Sequence, residues 1–445
     1  MIQINPKRIT QSGFLRKRGK VFKTWKKRYF VMNGKTLYYY KKNTDKTPLG
    51  EIPLTEKTTV KISNIKKENC FEIQVGKEKT YCVCASTSTE RLKWIETIKS
   101  IILSLTQPKV TIEDFEIISV LGRGTYGKVQ LVKKNGTQNY YAMKSLHKGK
   151  LAISKQIEQT IAEKEVFLRT NHPFLVSLKY SFQTDEKLFM ILDYVSGGEL
   201  YFHLKQEKRF SNERVRLYAA EIILAIEYLH KLDIIYRDLK LENILLDSDG
   251  HIKITDFGLV KENISEQKDG TRTICGTPEY MAPEILLEIG YSKPVDWWSL
   301  GVLMYEMLIG LPPFYSEDMN ALYQKILRQP LKFPTDTPEL ARDLIKKLLI
   351  KNPKKRLGST SDSESIKNHP YFACYDWDKV YNKEIQPTFK PEIKEITDIS
   401  NFDKEFTKEM GGNSVPEISV IGRVNQKLFD GFTFVGDVEG VGNLK

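Results

Sequence analysis

Three glycines and four ionisable side chains carry the first chemical signal in this sequence. Leu121-Gly122-Arg123-Gly124-Thr125-Tyr126-Gly127-Lys128-Val129 follows a glycine-rich pattern whose backbone can approach phosphate groups closely. Ala142-Met143-Lys144 follows, after the strand formers Tyr140-Tyr141, and puts a lysine within reach of α and β phosphates. A lysine in that position needs a carboxylate to orient it, and Glu163 lies downstream on a helix that the spacing predicts over Ile157 to Leu168. Tyr236-Arg237-Asp238-Leu239-Lys240-Leu241-Glu242-Asn243 supplies Asp238 to orient or deprotonate an acceptor hydroxyl and Asn243 to hold a metal ion. Asp256-Phe257-Gly258 supplies a second metal ligand, the Asp256 carboxylate. Ala282-Pro283-Glu284 follows, and Glu284 is expected to pair with Arg356 as a structural strut.

Each fragment alone has a bland reading: a glycine turn, a solvated helical charge, a surface loop. Six of them in this order and spacing point together to transfer of a phosphoryl group.

The elements that must position them follow from periodicity. Residues 9–85 read as short strands. Tyr29 to Met32 and Thr36 to Tyr40 flank Asn33-Gly34, a hairpin signal, and further strands are expected at Val60 to Ile65, Phe71 to Val75 and Thr80 to Cys84. A helix then starts with Ser88 as N-cap and Glu90 in its first turn, burying Leu92, Ile95, Ile98 and Ile102. The chain from Phe115 to about residue 192 is strand-rich with one helical run, mostly helical from Tyr201, and an irregular tail after Phe372. Val295 to Leu311 is apolar, but Asp296 and Glu306 interrupt it, which predicts a buried helix and no membrane span. The N-terminus shows neither the apolar core of a signal peptide nor a lipidation box.

Charge is unevenly placed. Residues 1–110 hold 24 Lys and Arg against 8 Asp and Glu, and Lys7 to Lys42 holds 13 basic residues and no acid. Such a field suits an anionic membrane or nucleic acid; the aromatic stacking platforms a nucleic-acid binder would need are not evident, so no nucleic-acid partner is expected. Five scattered cysteines suggest reduced thiols in a cytoplasmic protein, with no disulfide framework and no metal pattern.

These motifs resemble the eukaryotic protein kinase family across residues 115–372. The Tyr-Arg-Asp loop, Gly276-Thr277-Pro278-Glu279-Tyr280, Asn401-Phe402-Asp403-Lys404-Glu405-Phe406 and Phe429-Asp430-Gly431-Phe432-Thr433-Phe434 resemble the AGC group of serine/threonine kinases. Residues 9–106 resemble a pleckstrin homology (PH) domain, and the whole order, with 373–445 as C-terminal tail, resembles the protein kinase B (Akt) family. The fold implied is a PH β-sandwich capped by a C-terminal helix, a two-lobed α+β kinase, and a tail whose phenylalanines dock beside the Glu163 helix. The cofactors implied are ATP and Mg²⁺.

The resemblance also implies site residues. Val129, Ala142, Leu245 and Thr255 line the adenine pocket, with Asp193 to Val195 as hinge. Glu199, Glu242 and Glu306 accept substrate arginines at the third and fifth positions before the acceptor. Lys17, Lys26 and Arg28, joined by Lys79, bind a phosphoinositide. Upstream kinases activate the protein by phosphorylating Thr273, whose phosphate pairs with Arg237, and Thr433. The chain is then a monomeric cytoplasmic enzyme recruited to the plasma membrane. The competing reading is a lipid-binding scaffold with a weak or inactive kinase domain. Three features depart from the family: Gln159 stands where a phosphate-contacting histidine is expected, Ser414 is followed by Val415-Pro416 and not directly by proline, and the linker from Thr106 to Asp114 is short, with a reach of at most about 30 Å.

Overall fold

The computed structural model describes residues 9–19, 23–63, 65, 67–77, 79–106, 110–262, 270–408, 424–429 and 431–436. Ser414, residues 107–109 of the linker and residues beyond 436 lie outside them. The chain divides into two units, Met1–Val110 and Thr111–Lys445, each with its own core.

In the smaller unit, β1 (Ile9–Arg18), β2 (Trp25–Asn33), β3 (Thr36–Tyr40), β4 (Gly50–Pro53), β5 (Thr58–Ile62), β6 (Cys70–Val75) and β7 (Lys79–Cys84) form one antiparallel sheet. Its order is β4-β3-β2-β1-β7-β6-β5. Strand alternation sends Leu15, Phe30, Leu37, Ile73 and Val83 inward, against Trp94, Ile95 and Ile98 of α1 (Ser88–Thr106).

Several sequence expectations shift here. The hairpin loop is Gly34-Lys35, not Asn33-Gly34: Asn33 still pairs with Thr36, and Gly34 takes the positive φ of 56° that the turn demands. Thr87, not Ser88, caps α1, its hydroxyl accepting the Glu90 N–H at 3.1 Å. Leu92 is exposed because the buried stripe runs through Trp94, Ile95 and Ile98. Cys70 and Cys84 stand opposite each other across β6 and β7 and form a disulfide. A 14-residue separation in sequence does not reveal that register.

The larger unit opens with β8 (Phe115–Gly124), β9 (Gly127–Lys134) and β10 (Tyr140–His147). Two helices follow, not one: α2 (Lys148–Ile153) and α3 (Ile157–Arg169). Then come β11 (Leu178–Gln183) and β12 (Lys187–Asp193). The helical part contains α4 (Leu200–Glu207) and α5 (Asn212–Lys231), followed by the short ribbon strands β13 (Ile234–Ile235), β14 (Ile244–Leu246), β15 (Ile252–Ile254) and β16 (Lys261–Glu262). Next are α6 (Pro283–Leu286), α7 (Pro294–Ile309), α8 (Met319–Arg328), α9 (Glu339–Leu348) and α10 (Ser363–Lys367). The tail adds α11 (Trp377–Tyr381), α12 (Lys404–Thr407) and β17 (Phe434–Val435). β17 joins the edge of a six-stranded sheet ordered β17-β11-β12-β10-β9-β8.

α7 is buried almost throughout, and Ser211 caps α5 by accepting the Arg214 N–H. Among the described residues no helix is long and apolar enough to cross a membrane.

Candidate active site

The site is built where β8, β9 and β10 meet the loops at the ends of β13 to β15. Gly124 faces Gly127 across the β8–β9 turn. A Cβ at Gly127 would lie 1.7 Å from the Ser145 carbonyl oxygen, so only glycine lets β9 approach β10 this closely. At Gly122 and Gly124 a Cβ would meet nothing within 4 Å. Their bare backbone borders open space, the room a polyphosphate requires.

That space is a cavity of about 670 Å³. Leu121, Gly122, Arg123, Gly124, Thr125, Tyr126, Gly127, Lys128 and Val129 form its roof, with Ala142, Lys144 and Glu163. Leu245, Thr255, Asp193 and Val195 line its inner part, and Asp238, Asn243, Asp256, Glu199 and Glu242 its mouth.

The titratable groups are tied together. Lys144 Nζ lies 2.7 Å from Glu163 Oε1 and 3.5 Å from Asp256 Oδ1. Burial alone would lower the lysine pKa; Asp256 and Glu163 outweigh it and raise the pKa, so the ammonium stays charged. The lysine in turn holds the Asp256 carboxyl below its usual range, helped by the Gly258 N–H at 3.0 Å. Asp256 sits at φ 58°, a left-handed conformation rare for a non-glycine residue, which its Gly258 bond stabilises locally. Asn243 Nδ2 donates to both Asp238 O and Asp238 Oδ2 at 2.9 Å.

Two partners of Asp238 escaped the sequence reading. Thr277 Oγ1 donates to Asp238 Oδ1 at 2.9 Å, and Lys240 Nζ lies 3.1 Å from Asp238 Oδ2 and donates to Thr277 Oγ1 at 3.0 Å. Both residues sit inside motifs already quoted, but nothing in their spacing shows that the two segments meet. The same holds for Phe402 of the tail, which lines the cavity and stacks on Tyr194 with ring centroids 6.2 Å apart.

The catalytic-loop backbone hangs from a buried carboxylate. Asp296 Oδ2 accepts the Tyr236 N–H at 2.9 Å and Oδ1 the Arg237 N–H at 2.8 Å. His230 Nε2, 2.9 Å away, steadies Asp296 from behind. The expected Glu284–Arg356 strut is present, bidentate at 2.6 and 2.8 Å.

Glu199 and Glu242 share one flank. Burial, and then Glu242 and Asp403, push the Glu199 pKa up to about 7. Glu306 lies behind this flank on α7, buried and bonded by the Tyr280 hydroxyl; burial pushes it also to about 7.

Thr273 is exposed, with its carbonyl accepting the Tyr291 hydroxyl at 2.6 Å. Arg237 Nη1 donates to that same hydroxyl at 3.1 Å, so Arg237 reaches Thr273 only through Tyr291. Gln159 lines the cavity on α3.

Phe429 and Phe432 are buried against the upper sheet. Ser181 Oγ donates to Phe432 O at 2.6 Å, Gln183 Nε2 to Phe429 O at 2.8 Å, and Lys164 Nζ of α3 to Gly431 O at 2.9 Å. Thr433 is exposed beside them.

In the smaller unit, Lys17 faces Lys26, and Leu15 faces Arg28, across β1 and β2. Directly opposed residues share a face, so Lys17, Lys26 and Arg28 lie on the inward side at one end of the sheet. Lys17 Nζ stands over Tyr39 at 5.0 Å and Tyr81 at 5.6 Å. Lys79, two positions before Tyr81 on β7, shares that side.

A two-lobed arrangement, a glycine-roofed cavity and an Asp–Asn–Asp cluster define a protein kinase. The protein kinase domain family matches residues 115–372, the PH domain family 9–103, and the protein kinase C terminal domain family 393–434. A Dictyostelium discoideum RAC family serine/threonine-protein kinase homolog is 46% identical over 97% of this chain and 98% of its own length. Protein kinase 2 of the same organism is 51% identical over 76% of the chain and 71% of its own length. The Schizosaccharomyces pombe serine/threonine-protein kinase gad8 is 48% identical over 73% of the chain and 57% of its own length. The chain therefore belongs to the RAC/Akt-like family of AGC serine/threonine protein kinases, with a PH domain, a kinase domain and an AGC C-terminal segment.

Proposed function

We propose that this kinase is recruited to membranes by phosphoinositides and phosphorylates serine or threonine in arginine-rich protein sites. The observation that carries the reading is the ion-pair chain Glu163–Lys144–Asp256 set opposite Asp238 and Asn243 across one cavity. Lys144 binds the α and β phosphates of ATP, and Glu163 keeps it aimed at them. Asp238 accepts the hydroxyl proton of the substrate. Asn243 and Asp256 hold Mg²⁺, which when bound supplies neutralisation of the phosphate charge. Val129, Ala142, Leu245 and Thr255 surround the adenine, with Asp193 to Val195 as hinge. Glu199, Glu242 and Glu306 attract substrate arginines, because two acids on one flank with a third buried behind them make a field that an arginine neutralises. Lys17, Lys26, Arg28 and Lys79 take the phosphates of one inositol headgroup. Upstream kinases phosphorylate Thr273 and Thr433, and the Thr273 phosphate draws Arg237 away from the Leu259 and Val260 carbonyls, to which its guanidinium donates at 2.5 and 3.1 Å. The assignment of domains is 9–106, 115–372 and 373–445.

The test uses purified chain with vesicles carrying different phosphoinositides at physiological salt. Binding selective for 3-phosphorylated lipids and lost in Lys17→Ala/Arg28→Ala supports the recruitment step. Equal binding to every anionic vesicle removes it. For activation, a Thr273→Ala protein with full activity would sink the phosphorylation step.

A further inference from the structure

The larger unit carries a basic face that the active site does not use. Acids outnumber bases in residues 111–445, 48 to 45, yet residues 323–356 hold 10 Lys and Arg against 3 Asp and Glu. The fold gathers that excess at one place. Arg328 closes α8, Lys332 stands on the loop after it, and Lys346 lies on α9. Phe333 ties the loop to α9: Arg342 and Lys346 each stand 6.0 Å from its ring centroid. Lys351 donates to the Lys325 and Ile326 carbonyls, which brings the turn bearing Lys354 and Lys355 to the end of α8.

The acids of this stretch do not neutralise it. Asp336 pairs with Arg209 at 2.8 Å, and Asp343 with Lys347 at 2.7 Å and His369 at 2.9 Å. Glu339 lies in the first turn of α9, where the helix N-terminus suits a carboxylate, and makes no ion pair among the described residues. Arg328, Lys332, Lys346, Lys354 and Lys355 are exposed and make no ion pair among those residues either.

Unpaired cations held close together repel one another, and a carboxylate-rich partner relieves that repulsion. The same unit presents the opposite field at its cavity mouth, through Glu199 and Glu242 with Glu306 behind them. α8 connects the two fields: it packs against the Pro278–Tyr280 turn, whose Tyr280 hydroxyl bonds Glu306. Its 10 residues span about 15 Å, and a dozen residues of extended peptide reach about 40 Å. We infer that this face docks an acidic segment of the protein substrate while the acceptor site, with its arginines, occupies the cavity mouth. The inference rests on the arginine-site reading above and adds a second, oppositely charged determinant to substrate choice. A polypeptide fits better than a nucleic acid, because Phe333 packs on Tyr305 with centroids 5.4 Å apart and stands between two cations, so it offers no open ring to a base.

Two measurements on the full chain test it. A fluorescent glutamate-rich peptide without serine or threonine is titrated by anisotropy, with no turnover involved. An arginine-containing acceptor peptide is then phosphorylated with and without a glutamate block, joined through about a dozen linker residues of glycine and alanine. The parental chain should bind the acidic peptide less tightly as salt rises and give the extended acceptor a KM roughly tenfold below that of the short one. Arg328→Glu/Lys332→Glu and, on separate elements, Lys346→Glu/Lys355→Glu should each weaken acidic-peptide binding and abolish the KM advantage, with kcat and the short-peptide KM unchanged. Whatever the N-terminal unit contributes is common to all three proteins and cancels. A parental chain that prefers neither acidic peptide, or a preference that both variants retain, overturns the inference. Variants whose only loss is affinity for single-stranded DNA overturn it as well. A short acceptor that gains nothing from its arginines, while acidic-peptide binding is lost in both variants, defeats the arginine-site reading alone and leaves the docking face standing.

Discussion

Lys144 is held by two carboxylates at once, and that double contact separates what its neighbours do. The Glu163 side chain is buried, whereas that of Asp256 is partly exposed to the cavity. Asp256→Asn should lower kcat on the order of 10²–10³-fold while the protein stays folded, measured as peptide phosphorylation alongside circular dichroism. The raised Glu199 and Glu306 give a second test. Their pKa near 7 means that both gain negative charge as pH rises through neutrality. Attraction for an arginine peptide therefore strengthens upward, so its KM should fall between about pH 6 and 8. A peptide lacking arginine should show no such trend, and Glu199→Gln should flatten it. Individual residues were the most legible level of this sequence, because Lys144, Asp238, Asn243 and Asp256 stand in fixed local motifs. Thr277 and Lys240 were not legible as partners of Asp238, since 39 residues of chain separate Thr277 from the carboxylate it bonds.

At the scale of elements, the tail and the Glu163 helix form one device. Phe429 and Phe432 fill the space beside α3, and Lys164 on that helix bonds the Gly431 carbonyl between them. Docking of the tail thereby restrains the helix that presents Glu163. Phe432→Ala should cost about 3–5 kcal/mol of local stability. Hydrogen exchange should then rise in β11 and α3, and kcat should fall although no cavity residue has changed. The Glu284–Arg356 pair works differently, fastening α6 to the loop after α9 from full burial. Arg356→Ala leaves a buried carboxylate unpaired and should destabilise the larger unit by roughly 3–5 kcal/mol, read from denaturant unfolding. Helix and strand existence followed from periodicity, but ends did not. The Gly34-Lys35 loop and the Thr87 cap each fell one residue from expectation, because both were decided by pairing register and a side-chain bond. α2 escaped the sequence reading because six residues are too few for a helical period to stand out.

At the scale of the whole molecule, charge and catalysis belong to different units. The basic excess lies in residues 1–110, and the cavity lies in 111–445. On the proposed recruitment, Lys17→Ala/Arg28→Ala should abolish selective vesicle binding yet leave phosphorylation of a soluble peptide unchanged; a parallel loss of both would show that these cations act on the active site. The order of the units, the glycine-rich loop, the Asp238, Asn243 and Asp256 motifs and the electropositive N-terminal unit were all legible in sequence alone, because each rests on residues a few positions apart or on net charge. Tertiary structure decided which distant groups meet: Cys70 with Cys84, Lys240 and Thr277 with Asp238, Phe402 with Tyr194, and the division of one basic strand pair between an inward and an outward face. Those contacts depend on strand register and chain reversal, and a change of one residue in register turns every side chain to the opposite face.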